Sequence, residues 1–192
     1  AQYSFENNLE DATQNIFDAV DVAATYSTSV KKVGESSLTL NGSTAHLLLP
    51  AGIVCSKEMT IATWVYSTSS SNWQRIFDFG NGTEQYMFLT PSNGSQMRFV
   101  MKNGGDEEIL STSVLGRNAW HHVAVTIGNT EVALYVDGKV VASSTSMTIH
   151  PMDINPVRNY IGRSQFVSDP RFKGNIDDFR IYNCALSAEN IE

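Results

Sequence analysis

Short runs of alternating apolar and polar residues, joined by two-residue turns, leave this chain few folds to choose from. Asn41-Gly42, the stretch Gly80-Asn-Gly-Thr83, the stretch Asn103-Gly-Gly-Asp106 and Asp137-Gly138 supply the positive-φ positions that tight hairpins require. Strands are expected at 3–7, 37–41, 45–49, 59–66, 73–79, 85–89, 96–101, 108–110, 121–127, 131–136, 139–142 and 160–162, with a closing strand at 173–182. Residues 12–30 are weakly patterned and read as a loop crossing the surface. Only 187–191 reads as helical, a turn or two capped by Ser187. No helix is long enough for a crossover between parallel strands, so a parallel α/β fold is excluded. The consistent solution is all-β, a two-sheet antiparallel jelly-roll sandwich, and 192 residues suit one such domain over 1–192.

Two strands carry further information. Met59–Tyr66 has apolar residues on both faces and is expected at the centre of a sheet, covered on both sides. Lys173–Tyr182 must find its partners far back in sequence. Strict two-residue alternation turns Ile176 and Asp178 one way and Asp177, Phe179 and Ile181 the other. A carboxylate placed beside a core needs a cation, a metal or backbone N–H groups to compensate it.

The charge is acidic, 20 Asp plus Glu against 13 Lys plus Arg, with no basic stripe, which weighs against a nucleic-acid partner. Abundant Ser, Thr, Asn and Gly with only 17 % charged residues suits a secreted, periplasmic or cell-surface β domain. The apolar runs are too short for membrane insertion. Ala1-Gln2-Tyr3 has neither the basic start nor the apolar core of a signal peptide, so an exported protein would have had its signal removed. Two cysteines, Cys55 and Cys184, form no scaffold; either a disulfide ties the C-terminal segment to an early strand, or both are buried free thiols.

The stretches Tyr3-Ser-Phe-Glu6, Met59-Thr-Ile-Ala-Thr-Trp-Val65, Trp120-His-His-Val-Ala-Val-Thr126, Leu134-Tyr-Val-Asp-Gly-Lys139, Ile161-Gly-Arg163 and Phe172–Asn183 followed by Ala185-Leu-Ser187 run through nearly the whole chain. In that order they resemble the laminin-G-like, concanavalin A-like lectin/glucanase jelly rolls, in particular the modules attached to secreted bacterial glycoside hydrolases. The resemblance implies the jelly-roll fold. It also implies a structural Ca²⁺ near the junction of the first loop and the last strand, with Glu6, Asn8, Asp177 and Asn41 as the matching oxygen donors. Hydrogen bonds from backbone N–H groups to Asp177, or pairing with Arg180 or Arg163, would compensate its charge without a metal. Many relatives carry arginine before Ala-Leu-Ser where this chain has Cys184, which favours the disulfide.

Carbohydrate binding follows from side-chain chemistry, because sugar rings stack apolar C–H faces on aromatics and offer hydroxyls to planar, multi-donor groups. Trp73, Arg75, Asp78, Tyr86, Arg98 and Lys102 are the candidates. Alternation along 73–79 groups Arg75 with Trp73 and Phe77, and sets Asp78 opposite. The competing reading makes Tyr86, Phe77, Phe79, Phe88 and Phe99 sandwich core, with Arg75 and Arg98 covering its edges. His121 and His122 are expected to pack or hydrogen-bond, with at most one pointing outward. Asp106-Glu-Glu108 and Asp177-Asp178 are contiguous, so a strand would split them to opposite faces, unlike the same-face carboxylates of retaining glucanases. The expectation is a non-catalytic module that binds a polysaccharide or oligosaccharide beside an adjacent catalytic domain. The alternatives are a structural or protein-adhesion module.

Overall fold

The computed structural model describes residues 1–13 and 15–191. Its strands are β1 (Gln2–Tyr3), β2 (Val20–Val22), β3 (Thr25–Ser27), β4 (Ser37–Asn41), β5 (His46–Leu49), β6 (Met59–Ser67), β7 (Phe77–Gly80), β8 (Gln85–Thr90), β9 (Gln96–Asn103), β10 (Glu108–Ser113), β11 (Trp120–Ile127), β12 (Val132–Val136), β13 (Lys139–Ser144), β14 (Arg158–Ile161) and β15 (Lys173–Tyr182). They form two antiparallel sheets. One has eight strands in the order β13-β12-β11-β6-β15-β4-β3, with β1 added on β15. The other has seven in the order β10-β9-β8-β7-β14-β5-β2. The inward residues of both form one core, in which Leu38, Phe77, Phe79, Phe99, Ile176 and Phe179 are at most 1 % exposed. Each such side chain contributes roughly 1.5–3 kcal/mol by leaving water. Phe179 joins the layers, its ring edge-on to Phe77 of the facing sheet at 6.3 Å and 6.5 Å from Tyr3.

As expected, β15 closes the fold beside the chain's beginning. Gln2 pairs with Arg180 and Tyr3 with Phe179, and the Ala1 ammonium donates to the Ile181 carbonyl at 2.9 Å. Strict alternation fails along this strand. The register on β6 slips by one residue between Asp177 and Arg180, and Asp178 takes the left-handed φ of 48°. The extra residue is a β-bulge, so Ile176, Phe179 and Ile181 all face the core while Asp177 lies opposite Trp64, on the outer face. Asp177 is nevertheless fully buried, because the segment around Lys32 and Val33 folds over it and both N–H groups donate to its Oδ2, at 2.8 and 3.0 Å.

Other expectations are corrected. β1 ends at Tyr3, since Phe5 and Asn7 take left-handed φ values of 56° and 58° and turn the chain. β2 and β3 lie inside the segment read as loop; three residues on a sheet edge are too short to show a period. A helical turn at Pro151–Ile154 was missed, while 188–190 is a 3₁₀ turn. β6 is central, but its outward residues Trp64 and Tyr66 are only half-buried. Cys55 and Cys184 are neither bonded nor buried: both are free and exposed. The tie that a disulfide would make is made by Thr60, whose hydroxyl donates to the Cys184 carbonyl at 2.8 Å and accepts the Leu186 N–H at 2.9 Å.

Candidate functional site

The outer face of the seven-stranded sheet is set by register. Tyr160, Asp78, Phe88, Val100 and Ile109 are cross-strand neighbours from β14 to β10, and the next outward row holds Arg158, Gly80, Tyr86 and Lys102. Phe77, Phe79 and Phe99 belong to the core, but Tyr86 and Phe88 do not. They form a separate cluster with Val100, Trp73 and Phe166. Both are 2 % exposed because the segment after β14 arches over them, with the Phe166 ring edge-on to Tyr86 at 5.6 Å. The Gln165 N–H donates to Asp78 Oδ2 at 3.0 Å and holds that arch down.

Arg75 joins this face because the expected strand 73–79 begins only at Phe77. Trp73 has a φ of 64° and its N–H donates to the Ser92 carbonyl at 2.7 Å, so parity is broken before the strand starts. The Arg75 guanidinium lies 3.8 Å from the centre of the Phe88 ring. Nη1 donates to the Trp73 carbonyl at 2.6 Å and Nη2 to Asp169 Oδ2 at 2.8 Å. Nε stands 3.4 Å from Asp78 Oδ2, a charge contact rather than a directed hydrogen bond. Ser164 donates to Asp169 Oδ2 at 2.9 Å, and the Tyr86 hydroxyl donates to Glu107.

One guanidinium thus faces two carboxylates, and Asp78 is the deeper. Burial outweighs the pull of Arg75 and pushes its carboxyl up to about 7. A carboxyl raised on folding favours the protonated folded form, so its contribution to stability is full below the unfolded value near 3.8 and is lost as pH rises towards 7. Urea unfolding followed across that window should show stability falling with pH by up to about 4 kcal/mol from this group, and Asp78→Asn should flatten the slope. An unchanged slope in the variant would show that Asp78 is ionised throughout.

Trp73, Arg75, Phe88, Glu107, Phe166 and Asp169 enclose a cavity of about 220 Å³ open to solvent. Of the six expected residues, Trp73 and Arg75 line it, and Asp78 and Tyr86 support it from beneath. Arg98 and Lys102 share the face but lie outside the cavity, held by Gln96 at 3.3 Å and Glu84 at 2.9 Å. Phe166 and Asp169 sit in irregular backbone that carries no sequence period, and Glu107 read as a turn acid. The cavity offers aromatic walls for C–H faces, with a guanidinium and two carboxylates for hydroxyls. All are held by their own hydrogen bonds, so little ordering remains for a ligand to impose.

The expected calcium donors divide. Glu6 Oε2 accepts the Glu35 and Ser36 N–H groups at 2.9 and 3.1 Å, on the same loop that Asp177 grips. Asp177 Oδ1 is buried with no hydrogen-bond partner. Asn8 Oδ1 accepts the Glu10 N–H at 3.2 Å in an exposed turn. Asn41 is excluded: it pairs with Lys173, four residues and roughly 13 Å along β15 from Asp177, and its Oδ1 accepts the Ser43, Thr44 and Ala45 N–H groups. Among the described residues no group of three or more His, Cys, Asp or Glu side chains gathers as a metal cluster.

A sequence model described as the concanavalin A-like lectin/glucanases superfamily matches residues 41–192. An alpha-L-arabinofuranosidase of Bifidobacterium longum subsp. longum is 22% identical over 64% of this chain. A sushi, von Willebrand factor type A, EGF and pentraxin domain-containing protein of Rattus norvegicus is 23% identical over 80% of it. The chain spans 12% and 4% of the lengths of these two curated relatives. Domain 4 of AbnA, a GH43 extracellular arabinanase from Geobacillus stearothermophilus, solved in complex with arabinotriose, superimposes with a TM-score of 0.84 at 23% identity, covering 100% of this chain and 95% of that one. The CBM40 of the Ruminococcus gnavus IT-sialidase, bound to alpha2,3 sialyllactose, gives 0.70 at 18% identity, covering 86% and 97%. At these identities the likeness is one of fold.

Proposed function

Because the chain belongs to the concanavalin A-like lectin/glucanases superfamily, we propose that it is a non-catalytic carbohydrate-binding module of a longer extracellular protein. The observation that carries this reading is the cavity over the Arg75–Phe88 stack, walled by Trp73 and Phe166. A sugar ring lays its C–H face on Trp73 and its hydroxyls donate to Asp169 and Glu107, which Arg75 and the Tyr86 hydroxyl hold in place. Joined to a glycoside hydrolase domain, such a module raises the enzyme's effective concentration on its polysaccharide without adding chemistry. The arabinotriose and sialyllactose held by the two similar structures agree with this role.

Affinity electrophoresis through gels containing arabinan, xylan or pectin tests it. Retardation on at least one is expected, with Trp73→Ala losing tenfold or more of the affinity, in line with removal of one stacking aromatic worth about 1.4 kcal/mol. A folded wild type retarded by no polysaccharide, or an unaffected variant, contradicts the proposal. Protein adhesion is the second reading, favoured by the exposed strip of Val20, Val22 and Leu48 on β2 and β5.

Calcium enters the proposal on one atom, the orphaned Asp177 Oδ1. Asp177 and Glu6 are the carboxylates that would hold the ion, with Asn8 and backbone carbonyls supplying further oxygens, and it would clamp the 31–36 loop to β15. Adding Ca²⁺ to chelator-treated protein should raise Tm, and Asp177→Ala should abolish the rise. An unchanged melt removes calcium from the account.

A further inference from the structure

A second depression lies on the opposite side of the molecule. The eight-stranded sheet puts Ala62 and Ala124 side by side on its outer face, with Trp64 and His122 in the adjacent row and Arg180 beside Ala62. Two small side chains between larger ones leave a groove of about 490 Å³, bounded by the β12–β13 turn and by Leu186 and Ile191 of the C-terminal segment. The bulge at Asp178 sets the groove's polar wall: the Arg180 guanidinium meets the Asp178 carboxylate at 2.7 and 2.9 Å.

The polar groups here are unevenly engaged. Asp137 accepts the His121 ring N–H and the His122 backbone N–H, and Asp178 accepts Arg180 and the Gln2 amide. Both carboxylates are therefore occupied. Lys139 lines the groove and Lys32 stands at its edge, its ammonium 4.2 Å from the centre of the Trp64 ring. Neither lysine makes an ion pair among the described residues. His122 packs on Trp64 at 5.2 Å, and burial holds its imidazole below the usual range, so it is a neutral hydrogen-bonding group. Arg180 is taken up by Asp178 and the Tyr182 hydroxyl, which leaves Lys139 and Lys32 as the cations here without a carboxylate, on a chain whose net charge is −7. What these two ammonium groups lack is an anionic partner.

We propose that this groove is a second glycan site, selective for a sugar bearing a carboxylate. The carboxylate seats between the Lys139 and Lys32 ammonium groups, and the ring's C–H face lies on Ala62 and the apolar flank of Leu186. Uronic and sialic acid residues both carry that group. This site shares no residue with the Trp73 cavity and does not depend on it.

Calorimetric titration of the whole chain with trigalacturonate, 3′-sialyllactose and neutral arabinotriose separates the possibilities. At least one acidic probe should bind with an affinity that falls as salt is raised, and Lys139→Glu combined with Lys32→Glu should weaken it tenfold or more while leaving Tm and arabinotriose binding unchanged. Trp73→Ala should leave acidic-probe binding intact. Whichever acidic probe binds identifies the source of the carboxylate. Binding of neither acidic probe overturns the inference, whether or not arabinotriose binds, and so does an acidic probe that binds equally well to the double variant. Failure of arabinotriose alone bears on the Trp73 cavity, not on this groove.

Discussion

Gly174→Ala is expected to cost more than about 4 kcal/mol, enough to lower Tm by roughly 10 °C or prevent folding. Gly174 opens β15 with a φ of +146°, where side chains are rarely tolerated, and a Cβ there would stand 2.0 Å from the Tyr66 carbonyl oxygen. Neither backbone can retreat, because Gly174 pairs with Ser67 of β6 on one side and Leu40 of β4 on the other. The contact lies where the last strand is inserted between two early ones, so its loss opens the sheet rather than a loop. Gly105→Ala provides the control. A Cβ at that exposed turn meets nothing within 4 Å, and a change within about 0.5 kcal/mol is expected. Thermal melts of the two variants side by side are the measurement, and a Gly174→Ala protein as stable as Gly105→Ala would refute the close packing of β15 on β6.

Arg75→Met should cost about 3 kcal/mol and abolish sugar binding together. The side chain is 2 % exposed, and its charge answers the buried Asp78 carboxylate and the partly exposed Asp169. Methionine keeps the length and the contact with Phe88 but leaves the Trp73 carbonyl without its donor, and Asp169 without its cation. Asp78 already tends to hold its proton, so most of the penalty falls on Asp169. Arg75→Lys is expected to recover little, since one ammonium cannot reach a carbonyl and two carboxylates in the directions the planar fork does. Arg98→Met, on the same face but outside the cavity, should change stability by less than about 0.5 kcal/mol. Denaturant unfolding and arabinotriose titration of the three variants read both effects, and an Arg75→Met protein as stable as Arg98→Met would mean that the buried ion pairs contribute little.

How much of this was visible in the chain depends on how far period two extends. It placed β4, β8 to β10, β12 and β13 beside Asn-Gly, Gly-Gly or Asp-Gly turns, while β6 and β11 showed as longer runs rich in apolar and β-branched residues. It failed wherever one residue broke the period. At Asp178 the bulge turned Asp177 to the outer face, where the chain itself supplies the compensating N–H groups. At Trp73 a left-handed φ swung Arg75 onto the side of Asp78, so two residues that alternation separates are 3.4 Å apart. The competing reading put Tyr86 and Phe88 in the core, as aromatics within an apolar run. Their cover is the arch carrying Phe166 and Asp169, which no strand pattern announces. The groove beside Trp64 was hidden for the opposite reason, since apolar residues on both faces of β6 suggested a strand covered on both sides.

The proposed seat of a neutral sugar between Trp73 and Phe166, over the Arg75 guanidinium, is most directly tested by titrating ¹⁵N-labelled protein with arabinotriose and following the tryptophan indole and arginine side-chain N–H signals. The expected result is saturable movement of the Trp73 and Arg75 signals, with those of Trp64 and Trp120 still. Movement confined to Trp64 or Trp120, or no movement at any sugar concentration, would contradict it.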